Sequence, residues 1–322
     1  PGPRYHYSAV NLMGLEQTPA DEAARLTRIF GITPGKPIVA DALKKGQATL
    51  ESEMQESGYP FGAVGEELVT IDHETRDGVL DQPITPGARL RFGRVIAEDG
   101  GLLGAAHIQS IARFHAGEWY RHSDVEDLRR ALIATGLVSS IELQPRANAD
   151  GQTVDLGVGL TAAPLRTIAG ALGYGTNEGF RAEVSWEHRN FFPPEGALIL
   201  RGVLGTQEQL TALTFRRNNF RRRDNILTLQ VQGSHQNRNA YDARTLLLSA
   251  RLEQATTLIY QKVWSWALGA EVLTSDERSF DATRNADVRY AYYVGALSGQ
   301  VTYDRSNDLL DPRRGYRLSL RL

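Results

Sequence analysis

From Leu165 onward the chain is a succession of long segments in which apolar and polar side chains alternate. Phe180, Ala182, Val184 and Trp186 interleave with Arg181, Glu183, Ser185 and Glu187, and Leu227, Leu229 and Val231 with Thr228, Gln230 and Gln232. Leu198, Leu200 and Leu204 share one parity after Pro193-Pro194-Glu195-Gly196. So do Leu246, Leu248, Ala250 and Leu252, and again Trp264, Trp266, Leu268, Ala270 and Val272. A period of two is what a strand with one apolar face requires, because successive Cβ atoms point to opposite sides of a sheet. The pattern predicts eight strands, at residues 166–175, 179–188, 196–205, 208–217, 224–235, 241–254, 258–274 and 287–304, and a ninth from Arg314. A strand of ~10 residues, rising ~3.3 Å each and tilted ~40°, spans ~25 Å, the height of the lipid-facing band of a membrane barrel. Strands of a soluble sandwich average about five or six residues, so the lengths point to an antiparallel transmembrane barrel.

Composition narrows the classes further. The 322 residues are 41% hydrophobic, enough for two or three domains with cores of their own. The mean hydropathy of −0.34 is compatible with membrane insertion, since half of each barrel strand is polar. There is no cysteine, which removes disulfides, thiol catalysis and cysteine-based metal sites. The net charge of −2 supplies no basic field for nucleic acid, which is not expected as a partner. No apolar run reaches the ~18 residues of a spanning helix. The chain opens on Pro1-Gly2-Pro3-Arg4 with neither an initiator Met nor a signal peptide, which suggests a start in mid-protein.

Residues 1 to about 164 read differently, mixing helices with strands. Ala23, Leu26, Thr27 and Phe30 predict a helix over 20–30; Leu43, Leu50 and Met54 predict another over 39–57, with Gly58 as its C-terminal cap. A repeat at an offset of 85 aligns Pro1-Gly2-Pro3-Arg4-Tyr5-His6-Tyr7-Ser8-Ala9-Val10 with Pro86-Gly87-Ala88-Arg89-Leu90-Arg91-Phe92-Gly93-Arg94-Val95. After the second copy come a helix over 103–114 and another from Ser123 to Thr135, with Ser123 as N-cap and Glu126 completing a capping box. Strands at 138–144 and 153–160 then flank the turn Asn148-Ala149-Asp150-Gly151.

This strand–helix–helix–strand–strand order, twice over, resembles the POTRA domain (polypeptide-transport-associated), over residues 1–88 and 89–164. Gly170-Ala171-Leu172-Gly173-Tyr174-Gly175-Thr176-Asn177-Glu178-Gly179-Phe180-Arg181, with Trp186 and Asn190-Phe191-Phe192, resembles the opening hairpin of the TamA branch of the BamA/TamA superfamily. Phe215-Arg216-Arg217-Asn218-Asn219-Phe220, Ala240-Tyr241-Asp242 and the turn Tyr303-Asp304-Arg305-Ser306-Asn307-Asp308-Leu309-Leu310-Asp311-Pro312-Arg313-Arg314-Gly315-Tyr316 fit the same pattern. The resemblance implies α+β POTRA domains (β-α-α-β-β) followed by the N-terminal half of a sixteen-stranded outer-membrane β-barrel, over residues 165–322. The second half is expected to be missing, because Leu322 is not the terminal aromatic of such barrels. The family's Arg-Gly-Tyr/Phe loop motif lies later in the barrel, so that loop's role does not pass to Arg314-Gly315-Tyr316.

What the family does is then expected here: assembly and insertion of outer-membrane proteins, autotransporters included. The POTRA domains would capture unfolded clients in the periplasm, and the barrel's lateral seam would template their strands. The seam is the first strand, where Ile168, Gly170, Leu172, Gly173, Tyr174 and Gly175 are the candidate residues and Ile168, Leu172 and Tyr174 share a face. The expected partners are unfolded clients, the lipid bilayer and a TamB-like inner-membrane protein; no cofactor is implied. The rivals are a two-partner secretion transporter passing a client through its lumen, an outer-membrane enzyme such as a phospholipase, and a soluble β-sheet binding module. The enzyme would need a Ser/His pair on the outer face, which the sequence does not offer.

No other motif points to chemistry. Gly170-x-x-Gly173-x-Gly175 is followed by no helix, as a phosphate loop would need. Asp72-His73-Glu74 and Glu187-His188 fall on strands or turns, where adjacent side chains diverge. Arg216, Arg217, Arg221, Arg222 and Arg223 cluster around the turn Asn218-Asn219-Phe220 and suit lipid head groups or a POTRA carboxylate at the periplasmic rim, or simply a solvated hairpin tip. No catalytic or metal-binding residue is assigned.

Overall fold

The structure, a computed structural model, describes residues 4–16, 18–98, 102–176, 179–238, 241–254, 262–281, 285–308 and 310–322. Expectations that fall on Pro1-Gly2-Pro3, Asn177-Glu178, Ala240, residues 258–261 and Leu309 lie outside the described residues. Contacts divide the chain into two compact units: Pro1–Asp99 with Ala112–Arg129 and Glu142–Gly159, and Gly100–Ile111 with Arg130–Ile141 and Leu160–Leu322.

The chain begins β1 (His6–Met13), α1 (Ala20–Phe30), α2 (Ala40–Glu56), β2 (Ala63–Val64), β3 (Leu68–Asp72) and β4 (Asp77–Thr85). Leu26 and Phe30 on α1, and Leu43, Leu50 and Met54 on α2, recur at helical spacing and pack with Tyr7, Leu80 and Ile84 into one core. Gly46 lets the two helices close up: a Cβ there would stand 2.8 Å from the Phe30 carbonyl oxygen. β1 runs parallel to β4, and β2 and β3 both pair antiparallel with β4. The single second strand of the expected order is therefore broken in two, at Gly65-Glu66-Glu67.

The second copy of the pattern is β5 (Arg91–Ala97), α3 (Ala105–Ile111), α4 (His122–Ala134), β6 (Val138–Ala147) and β7 (Thr153–Ala162), with sheet order β5-β7-β6. The repeat is visible in three dimensions. Tyr7 and Phe92, equivalent at the offset of 85, are both buried, and β1 and β5 each slip register just after them. Phe92 stacks on Phe114 and tilts against Tyr120. Ser123 is not an N-cap. α4 starts one residue earlier, and the Ser123 amide and hydroxyl both donate to the Glu56 carboxylate, a stronger acceptor than the expected capping box. α2 ends at Glu56, and Gly58 stands two residues beyond at φ +101°.

The remaining strands are β8 (Arg166–Gly175), β9 (Gly179–Phe192), β10 (Gly196–Gly205), β11 (Glu208–Arg217), β12 (Asn225–Arg238), β13 (Tyr241–Gln254), β14 (Trp264–Asp281), β15 (Ala286–Asp304) and β16 (Arg317–Arg321). They form one antiparallel sheet in sequence order. Its register stacks the apolar parity into continuous rows: Leu200, Leu213, Val231, Leu248 and Val272 lie side by side across five strands, and Leu198, Phe215, Leu229, Ala250, Ala270 and Leu297 across six. Leu204, Val184, Leu268 and Leu297 on this face are exposed. The other face is polar: Arg201 grips Glu183 through two hydrogen bonds, and Thr245 meets Ser275. The strand expected at 258–274 runs instead to Asp281, because Asp276 and Arg278 pair with Arg289 and Asp287 of the neighbouring strand.

Candidate functional site

β8 is one edge of the nine-stranded sheet and β16 the other. Each residue of β8 pairs with β9, from Arg166 opposite His188 to Gly175 opposite Gly179, and among the described residues no strand pairs with its other side. Alternation puts Ile168, Leu172 and Tyr174 on the apolar face, as expected, with 76%, 89% and 66% of their surface exposed. Gly170, Gly173 and Gly175 lie within the strand. A Cβ on Gly173 would meet nothing within 4 Å, and one on Gly170 only the Glu183 carbonyl oxygen at 3.6 Å. Neither glycine is there to make room. Their effect is to soften an edge whose backbone N–H and C=O groups face outward unpaired.

Beside this edge lies a rim made by the turns at the end of the sheet where β8 begins. The expected arginines are distributed over it. Arg217 takes the apolar parity at the foot of β11, opposite Leu227, whereas Arg216 takes the polar one. Arg221 lies against the Phe220 ring, Arg222 is exposed, and the Arg223 Nη1 donates to the Ile111 carbonyl at 2.8 Å, at the end of α3. Asp224 also accepts from Lys262, at 2.8 Å. On the next rim turn the Asp308 carboxylate accepts the Leu310 and Asp311 amides, which hold it below the usual carboxylate range.

The rim's most buried polar group is one that sequence patterning does not single out. Glu195, 2% exposed and at φ +61°, presents its carboxylate to His107 Nε2 at 2.7 Å and to the Asn219 amide at 2.9 and 3.0 Å, while its own amide donates to Asn190 Oδ1. Its partners lie 88 and 24 residues away. The one local hint is the turn Pro193-Pro194-Glu195-Gly196. Of the pairs noted in the sequence, Glu187 and His188 stand on opposite faces of β9. Asp72 closes a turn onto the Glu74 amide, and His73 bonds the Tyr5 hydroxyl. Among the described residues no group of three or more His, Asp or Glu could hold a metal ion.

An α+β region of POTRA type followed by an antiparallel barrel sheet is thus the fold class. Its counterpart among solved structures is BamA from Haemophilus ducreyi lacking POTRA domains 1–3: TM-score 0.76 at 16% identity, covering 99% of this chain and 64% of that one. The chain therefore spans a little under two thirds of that structure's length, and the likeness establishes the fold. CdiB from Acinetobacter baumannii (TM-score 0.44, 13% identity, 100% of this chain, 63% of that one) and Haemophilus influenzae BamA POTRA3-5 (0.41, 16%, 50% and 68%) are similar too loosely to add to it. No family model matches the sequence.

Proposed function

We propose that this chain belongs to an outer-membrane assembly protein of the BamA/TamA superfamily, nearest its TamA branch, and that it works without enzymatic chemistry. In this reading residues 1–88 and 89–164 are periplasmic POTRA domains that take up unfolded outer-membrane clients, autotransporters among them. Residues 165–322 belong to the barrel, and a TamB-like protein is the inner-membrane partner. The apolar rows suit lipid, and the rim faces the periplasm because the α+β modules connect to that end of the sheet. Arg217, at the foot of the apolar face, and the exposed Arg221 and Arg222 suit anionic lipid head groups; Arg216 lies on the polar face and Arg223 serves α3.

The observation that carries the reading is the open edge of β8 in a sheet whose internal strands are paired on both sides. An incoming strand gains main-chain hydrogen bonds there and little specificity from side chains, which fits clients of varied sequence. The test is a set of single cysteines along residues 167–174, which the cysteine-free chain permits. A stalled client should crosslink in register, one client residue advancing as one β8 residue retreats. Crosslinks spread evenly over β10 to β13 would refute the proposal.

A further inference from the structure

We infer that the apolar face of the sheet carries a seat for one anionic phospholipid, with the phosphate on Arg217 and an acyl chain in the groove that begins at Phe215. This seat is a specific case of the lipid contact proposed for the rim, and it rests on the apolar rows facing lipid. The groove has a volume of about 410 Å³ and is walled by Leu198, Leu213, Phe215 and Leu229. Its floor is low because Ala250 and Ala270, paired directly across β13 and β14, stand in a row that carries leucine on either side, Leu229 and Leu297. Gln230, Ser249 and Glu271 also border it, but they belong to the other parity and turn their side chains to the polar face. The space is thus shaped for a hydrocarbon chain, at a size common among ligand sites.

The depth of the groove is set by aromatic rings. Phe192 meets Phe215 edge to face at 5.5 Å, Phe191 meets Phe192 at 4.9 Å, and Trp186 lies 6.3 Å from Phe191. A linked row of rings at one end of a barrel sheet is an interfacial girdle, the level at which hydrocarbon gives way to head groups. Arg217 lies two residues beyond Phe215 on the same parity, about 7 Å further along β11, so it stands at head-group depth in line with the groove. Its guanidinium makes no hydrogen bond or ion pair among the described residues. Arg221 and Arg222, on the turn that follows, are exposed, and the turn's one carboxylate, Asp224, is taken by Lys262 and Arg223. A guanidinium offers a fork of donors that matches a phosphate. Three cations with no free carboxylate among them favour a lipid of net negative charge over a zwitterionic one, whose own cation they repel. A glycerophospholipid joins the two features, because its glycerol sets the phosphate close to the head of each chain.

The experiment reconstitutes the full chain, without any client, in phosphatidylcholine vesicles doped with a probe that carries a diazirine in its acyl chain. The probe is either phosphatidylglycerol or phosphatidylcholine, at equal mole fraction, and the labelled residues are mapped by mass spectrometry. Phosphatidylglycerol should label the groove about tenfold more than phosphatidylcholine, the ratio that one charge-assisted hydrogen bond gives. Leu204, exposed on the same face at the far end of β10, should show no preference. R217Q should abolish the preference, whereas R216Q, which removes the same charge from the polar face, should keep it. A270L fills the floor of the groove and should lower labelling there with Arg217 intact. Folding of each variant is checked by circular dichroism. Equal labelling of the groove by the two probes overturns the inference, as does a preference that survives R217Q or vanishes in R216Q. Labelling of the apolar face by neither probe would remove the lipid-facing reading with it, whereas equal labelling beside intact client crosslinking to β8 would count against the seat alone.

Discussion

Gly173 shows what a single residue contributes to the edge. It sits mid-strand with open space where its side chain would be. An alanine fits without displacement and restricts the unfolded chain, so Gly173→Ala should stabilise the sheet by about 0.5–1 kcal/mol. Urea unfolding of the variant beside the unaltered chain checks it. Tyr120 acts in the opposite direction. Burial first, then the charges of Glu56 and Glu126, push its hydroxyl up to about 12 from an ordinary value of 10.0. The native state thus holds the proton that the unfolded chain releases. Its contribution to stability is intact below pH 10 and falls away as pH rises from there towards 12. Trp119, next in sequence and stacked between the guanidinium groups of Arg89 and Arg91, is the fluorescent reporter for that titration.

At the scale of elements, β14 and β15 are the instructive pair. A strand of 19 residues, the length of β15, at ~3.3 Å per residue and ~40° tilt stands about 48 Å tall, against about 25 Å for the apolar band. The surplus is visible in the chemistry of the face. The parity that carries Leu246, Leu248 and Val272 continues into Arg244, Asp242, Asp276 and Arg278; Asp242 and Asp276 both pair with Arg289, and Arg278 with Asp287. Those ends stand clear of lipid. A water-soluble thiol reagent should label a cysteine at Arg278 rapidly and one at Ala270 slowly; equal rates would contradict the assignment. This is also where the sequence was hardest to read. Periodicity and turn residues placed β8, β10, β11 and β13 to the residue, and α1 as well; β8 and β10 end on a glycine, α1 is followed by one, and β11 runs into the polar Asn218-Asn219 turn. The same periodicity stopped β14 at 274, since charges on a formerly apolar parity look like a loop until the pairing strand is known. The broken second strand of the first module and the Ser123–Glu56 contact are likewise products of tertiary pairing. The Glu195 node was illegible for the same reason: it joins residues 88 apart through a backbone angle that glutamate seldom adopts.

At the scale of the molecule, division and edge are the two consequences. We propose a structural boundary near Pro164, a residue that cannot donate a ladder hydrogen bond, between the end of β7 at Ala162 and the start of β8 at Arg166. Residues 4–162 released by proteolysis should keep native circular dichroism; a disordered spectrum would remove the boundary. The open edge is the centre of the account, and amide hydrogen exchange with and without an unfolded client strand tests it most directly. In the protein alone the amides of residues 166–175 should exchange faster than those of β12 and β13, and the client should slow exchange along β8 and leave the interior strands unchanged. Protection of β8 equal to that of β12 before any client is added, or no change there once it is, would contradict the account.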